Sequence, residues 1–387
     1  MSQDTIRVCH VISSFRPVIG GAERATENLT HALVEQEIDV IVLTRRYSAD
    51  HPATETIKDV PVFRLGVPGR GKWNALTFAL HALWVLATRF RGYRLLHVQN
   101  IDTPMLVGIC ARFLLNRRLI ATIHGESPLL MRRQNISGRL RLQLMSRAVD
   151  HFTAINPENV QQLVRADVDE DRISVIPNGI DVEHFRPPTA DEKRAARQRL
   201  QLDVDDRVVL YLGRLVPFKR VDLLLEAWAR LERREHDRLL VVGGGSEADN
   251  LRRQAQALGI DVRFEGPRDD PALYYQAADV FVLPSGDDRE ANYEGLSVAL
   301  IEAMASGLTP IVTDCPGNRV LIQPEETGLL LPMGDAAALA TQMDRALNTP
   351  ELRRTIGQKA RELICSQYSI QQVAALMRSP WSKRTHR

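Results

Sequence analysis

Along the first half of the chain, short β-branched runs alternate with amphipathic stretches. RVCHVIS precedes a helical pattern from about Ala22. DVIVLT, VPVFRL, a helix near Leu76 to Phe90, LLHVQ, another helical stretch, RLIATIHG, HFTAI and ISVIPNG follow in turn. Strands alternating with helices predict right-handed βαβ units and a parallel sheet covered on both faces. The rhythm pauses from Val182 to Asp206, which is polar and charged and holds Pro187 and Pro188. It resumes at RVVLYLGR and runs on through LLVVGGG, VRFEG, DVFVLPS, TPIVT and GLLLP. The expected fold class is α/β, with two Rossmann-like, doubly wound parallel-sheet domains facing a cleft. Residues 1–183 form the first domain, 184–206 a linker and 207–366 the second domain. Residues 367–387 are a C-terminal helix and basic tail, a candidate to pack back on the first domain, and Pro380 is expected to end that helix early. Sheets of this kind bind ligands beyond the carboxyl ends of their strands, so the chemistry is expected in the loops there.

The length, 387 residues, suits two domains, and 44% hydrophobic with 25% charged residues describes an ordinary soluble protein. Four scattered cysteines, Cys9, Cys110, Cys315 and Cys365, form no disulfide or metal framework and point to a reducing compartment, the cytoplasm. MSQDTIRVCHVIS has an acidic residue and no basic leader, so no signal peptide is expected. The longest apolar run, Ala75 to Ala87, is short of the ~20 residues of a spanning helix and is read as facing a core. Net charge is only +2, but Arg64 to Arg147 holds 14 Arg/Lys against Asp102 and Glu126.

Several strand ends carry candidate chemistry. Gly20 and Gly21 precede a helix, where close backbone approach and free N–H groups suit an anion; a plain tight turn is the other reading. Arg214 and Lys219 follow RVVLYLG at a helix entry, although the helix dipole disfavours cations there. That makes them ligand contacts or a solvated pair. Gly243, Gly244 and Gly245 suggest a nicotinamide site, but the G-x-G-x-x-G spacing fails at Ala248. In EGLSVALIEAMASG, a helix from about Gly295 to Ser306 would set Glu294 and Glu302 about 12 Å apart at ~1.5 Å per residue. That exceeds the roughly 5 to 9.5 Å of glycosidase carboxylate pairs. They are read as two contacts to one extended ligand, with the amides of Gly295, Leu296 and Ser297 facing an anion between them. A nucleotide sugar has that layout. A buried, paired Glu302 is the alternative.

Together GGAER, VIPNGIDVEHF, LYLGRLVPFKRVDLLLEAWARL, VVGGGSEADNLRRQAQALGIDVRFEG, AADVFVLPS and EGLSVALIEAMASGLTPIVT resemble the family 4 retaining glycosyltransferases of the GT-B architecture, in order and over nearly the whole chain. The resemblance implies that Glu294 binds donor-sugar hydroxyls, Glu302 the ribose, and Arg214 with Lys219 the diphosphate. It also implies that His124, in ATIHGE, reaches the donor sugar across the cleft. Leu296 and Ser297 depart from the family's usual residues, which leaves the sugar open.

The expected activity is retaining, metal-independent transfer of a hexose from a UDP- or GDP-sugar to a hydroxyl of a saccharide or lipid-linked saccharide, in envelope polysaccharide or glycolipid synthesis, without a cofactor. Preorganised cations and amides would stabilise the departing diphosphate. A noncatalytic nucleotide-sugar-binding protein of the same fold is the alternative. The basic stretch, with Leu129, Leu130, Leu140, Leu142, Leu144 and Met145 among its arginines, is read as attracted to an anionic membrane surface at the inner face. Few aromatics interleave with it, so nucleic acid is not an expected partner.

Overall fold

A computed structural model describes residues 6–18, 20–124, 136–232, 234–286 and 295–382. The chain forms two compact units, Met1–Gly179 with Ile370–Arg387, and Ile180–Ser369.

The first unit holds β1 (Arg7–Ile12), β2 (Asp39–Arg45), β3 (Thr54–Ile57), β4 (Val60–Leu65), β5 (Leu95–Gln99), β6 (Arg118–Ile123), β7 (His151–Ala154) and β8 (Ile173–Val175). They form an eight-stranded sheet in the order β3-β4-β2-β1-β5-β6-β7-β8. Only the β3–β4 pair is antiparallel. The central strands are buried along their length instead of alternating, because helices cover both faces. Helix Gly21–Glu35 packs against the C-terminal helix Ile370–Ser382 on one face. Helices Lys72–Thr88, Thr103–Leu115 and Ile136–Ala148 cover the other, where Phe78, Leu86, Met105 and Phe152 meet.

The second unit holds β9 (Arg207–Leu212), β10 (Asp237–Val242), β11 (Arg263–Gly266), β12 (Val280–Leu283), β13 (Thr309–Thr313) and β14 (Leu329–Leu331). They form a parallel sheet in the order β11-β10-β9-β12-β13-β14. The strand order reverses at β1 in one sheet and at β9 in the other. Loops leaving such a strand diverge from those of a neighbour and leave room for a ligand.

Four sequence expectations change. The polar stretch after Val182 contains a helix, Ala190–Arg199, started by a Thr189–Glu192 capping box. Arg197 and Lys193 both bond Asp279, at 2.8 Å and 2.7 Å, so this stretch is built into the second unit. Pro380 does not stop the last helix, which runs to Ser382. A proline in a final turn forfeits only one helical bond. The Pro380 carbonyl accepts from Arg118 Nη2 at 2.7 Å, and the Trp381 carbonyl accepts from Nη1. Finally, the run Ala75 to Ala87 buries only part of its circumference: Leu76, Leu80 and Trp84 are exposed. Leu142 and Met145 of the basic stretch point into the core instead, because their helix needs an apolar face to cover the sheet. Leu129 and Leu130 lie outside the described residues, as does the side chain of Leu140.

Trp381 is 4% exposed and lies edge-on to His10 and His97. Trp381→Ala should therefore destabilise the protein by about 3–5 kcal/mol, the usual effect of truncating a buried tryptophan. Urea unfolding measures this, and an unchanged midpoint would show that the last helix adds little to the first unit.

Candidate functional site

In the second unit the site begins with the contact between the loops that leave β9 and β10. Gly213 N–H donates to Val242 C=O at 3.0 Å, Leu215 N–H to Gly244 C=O at 2.9 Å, and Glu247 N–H to Leu215 C=O at 2.9 Å. This closeness requires glycine. A Cβ on Gly243 would fall on the Gly213 carbonyl oxygen, and one on Gly245 on the Leu215 carbonyl; both have positive φ, +145° and +158°. Gly243 and Gly245 therefore serve backbone packing, which removes the main attraction of a nicotinamide reading.

Beyond that contact the chain makes a 3-10 turn, Pro217–Lys219, before helix Val221–Arg230. Arg214 Cζ and Lys219 Nζ lie 5.7 Å and 5.3 Å from the centroid of the Phe218 ring, within cation–π range, so one aromatic gathers both cations. Arg214 is exposed and forms no ion pair among the described residues, whereas Lys219 is 8% exposed. Gly286 N–H donates to Phe218 C=O at 2.8 Å, which ties the turn to the loop after β12, the strand beside β9.

The next helix is Val298–Ala305, shorter than expected at its start. Ser297 is its N-cap, and its hydroxyl accepts from Leu300 N–H, so Gly295 and Leu296 precede the helix. A capping serine fixes the start because its backbone is extended, not helical. Glu302 consequently lies about one turn inside instead of two. It is 0% exposed, and Tyr275 Oη donates to its Oε2 at 2.8 Å. The buried partner that the sequence leaves open is thus, in part, a tyrosine. Glu294 lies outside the described residues.

In the first unit Gly20 caps helix Gly21–Glu35 without a side-chain bond. Ser14 Oγ donates to Glu23 in the first turn, and a Cβ on Gly20 would meet that carboxylate. This helix start therefore has a carboxylate of its own beside it. His124 follows β6 and is half-buried, with its Nδ1 closed to solvent. His124 Nε2 donates to Gln99 Oε1 at 2.7 Å, and Gln99 Nε2 donates to His10 Nδ1 at 3.1 Å. The amide thus assigns both histidines the Nε2–H tautomer. His97 lies tilted beside His10, 4.8 Å between centroids, and its Nε2 meets Thr122 Oγ1 at 2.6 Å. Burial pushes His124 down to about 4, opposed by a hydrogen bond with Asn178, pushes His10 down to about 3, and holds His97 well below the ordinary range. Gln99 and His10 are not among the site residues expected from sequence. Their signal is a polar side chain within or closing an otherwise apolar strand.

Asp203, Asp206 and His236 bring ligand atoms within 4.8 Å of one another. They lie by the amino end of β9, away from Arg214, and Asp206 is already paired with Arg238 at 3.1 Å.

Residues 19–184 match the family described as Glycosyltransferase Family 4, and residues 192–363 the one described as Glycosyl transferases group 1. The D-inositol 3-phosphate glycosyltransferase of Salinispora arenicola is 34% identical over 386 residues, covering 90% of this chain and 84% of that protein. The Frankia alni protein of the same name is 38% identical over 202 residues, 48% of this chain and 47% of that one. The matches span about half the length of several such curated relatives. Among solved structures, Anabaena HepE in complex with UDP-glucose superposes with a TM-score of 0.80 at 19% identity, over 97% of this chain and 99% of that chain.

The unfolded chain protonates its histidines below about 6.5 while the native state keeps these three neutral, so unfolding takes up protons in between. Their stabilisation is complete above pH 6.5. It is lost as pH falls toward 4 for His124 and toward 3 for His10. The denaturant midpoint should fall steadily from pH 7 to 4.5, with a shallower slope in His10→Asn. A flat profile would show that the trio is not buried neutral.

Proposed function

The chain belongs to the family 4, group 1 glycosyltransferases of GT-B fold, and on that premise we propose that it transfers a hexose from a nucleoside diphosphate sugar to a hydroxyl, with retention of anomeric configuration. The reading rests above all on Arg214 and Lys219, gathered by Phe218 beyond β9, where the second sheet reverses its strand order. Cations held there suit a diphosphate leaving group.

In this reading the bond from the anomeric carbon to the leaving diphosphate oxygen lengthens before the new bond forms. Negative charge grows on the diphosphate as the sugar gains oxocarbenium character. Arg214 and Lys219 stabilise that charge without reorganising, together with amides at the start of helix Val298–Ala305. The acceptor hydroxyl attacks from the leaving-group face and gives its proton to the departing phosphate oxygen. Glu302, oriented by Tyr275, contacts the ribose hydroxyls. Glu294, with Gly295, Leu296 and Ser297 next to it, serves the sugar. Gly20 and Gly21 serve the donor, and His124, held neutral with its one N–H given to Gln99, reaches the reacting sugar. Since the side-chain cations carry the charge, the reaction runs without a metal.

The acceptor is a saccharide or lipid-linked saccharide at the inner face of a membrane, a reading supported by the cation excess between Arg64 and Arg147. UDP-sugars are the first donors to screen, because HepE was crystallised with UDP-glucose. No helix among the described residues is long and apolar enough to cross a membrane.

Calorimetry and turnover assays test the assignment. A UDP- or GDP-sugar should bind and raise the melting temperature, and Glu302→Gln should weaken nucleotide binding roughly tenfold. Unchanged affinity in that variant would remove Glu302 from the site. Arg214→Ala or Lys219→Ala should lower turnover on the order of 100-fold or more, and EDTA should leave it intact. A strict requirement for Mg²⁺ would mean that a metal carries the diphosphate. Donor binding with no transfer to any acceptor would favour a noncatalytic binding protein.

A further inference from the structure

Helix Lys72–Thr88 is apolar on two sides. Phe78, Ala82, Val85 and Leu86 enter the core of the first unit. Opposite them, Trp73, Leu76, Leu80 and Trp84 are exposed, the two tryptophans at 75% and 62%. At about 100° per residue these four lie within about 80° of one another, and at about 1.5 Å per residue the stripe is about 16 Å long. A single exposed leucine needs no explanation, whereas an ordered stripe ending in tryptophans does. Helix Thr103–Leu115 packs beside it and adds exposed Leu106, Phe113 and Leu114.

Charge indicates what covers this face. From Val60 to Ile101 there are six Lys/Arg and no Asp or Glu. Arg70 and Lys72 stand exposed where the stripe begins, and Arg89 and Arg91 where it ends. Arg89 is held over the Phe63 and Phe90 rings, and Arg91 Nε donates to Ala87 C=O at 2.7 Å. Aromatic and leucine side chains framed by cations match the boundary between headgroups and acyl chains. With 17 residues the helix is short of the ~20 needed to span, so it would lie in the membrane plane. A second copy of the chain fits less well, because a two-fold contact through this face would bring the same cations together.

We propose that this face is a docking surface for an anionic lipid bilayer: Trp73, Leu76, Leu80 and Trp84 enter the headgroup boundary while Arg70, Lys72, Arg89 and Arg91 bind lipid phosphates. This deepens the lipid-linked acceptor reading above and assigns its membrane contact to residues outside the donor site. Docking would confine the enzyme to the surface that carries its acceptor.

The chain has four tryptophans, and Trp228 and Trp381 are buried at 1% and 4%, so a change in tryptophan emission reports mainly on Trp73 and Trp84. Full-length protein is mixed with vesicles of phosphatidylglycerol and phosphatidylcholine, or of phosphatidylcholine alone, at low and high salt. We expect co-sedimentation and a blue shift with the anionic vesicles, both weakened by salt. Each cation changed to Gln should lower partitioning about fivefold, and W73S/W84S should lower it roughly tenfold or more. Wild-type-like binding by W73S/W84S would overturn the proposal. So would absence of binding, or sedimentation velocity showing a Trp73-dependent dimer in its place. Donor-induced thermal stabilisation, measured on the same variants, should be unchanged. If it is missing in wild type while vesicle binding persists, only the transferase reading fails; the converse removes only the docking surface.

Discussion

The backbone contact between the loops after β9 and β10 is the constraint on which the second unit's site depends. Gly213, Leu215, Gly243 and Gly245 approach so closely that side chains on the two later glycines would collide with carbonyl oxygens. The β9 loop, closed on that side, must turn toward β12, and the turn Pro217–Lys219 is fastened there by Gly286. Two cations thus meet one aromatic ring at the strand where the sheet order reverses. Their position follows from backbone hydrogen bonds, which lock it before any ligand arrives.

In the first unit the corresponding restraint is a chain of buried polar groups. His124, Gln99 and His10 are bonded in series, and His97 continues the set to Thr122. Polar groups in a sheet core are costly unless bonded, so each member limits the orientations of the next. Trp381 closes the set from the C-terminal helix, and the last turn of that helix is fastened by Arg118. The end of the chain therefore helps to exclude water from a network that reaches a residue expected to contact substrate.

The outer face of the same unit follows a different rule. Helix Lys72–Thr88 spends one apolar side on the core and leaves another in solvent, and an apolar run read by length alone gives no hint of the division. Exposed tryptophans at this site make sense only if something covers them. The surrounding cations and missing acids select an anionic surface over a second copy.

By itself the sequence determined the alternation of strands and helices, the two-sheet architecture, and the family through motifs spaced over most of the chain. Those features are local, because periodicity and glycine placement act within a few residues. Arg214 and Lys219 could be chosen in the same way, as cations where the helix dipole disfavours them. Only the tertiary structure decided that Phe218 gathers them, that Tyr275 bonds Glu302, that the polar stretch around Ala190 belongs to the second unit, and that Pro380 lies within a helix. Each of these depends on a partner distant in sequence, such as Asp279 for Arg197 or Arg118 for the Pro380 carbonyl. Chain periodicity carries no information about such partners; they are set by which surfaces meet once both sheets have formed.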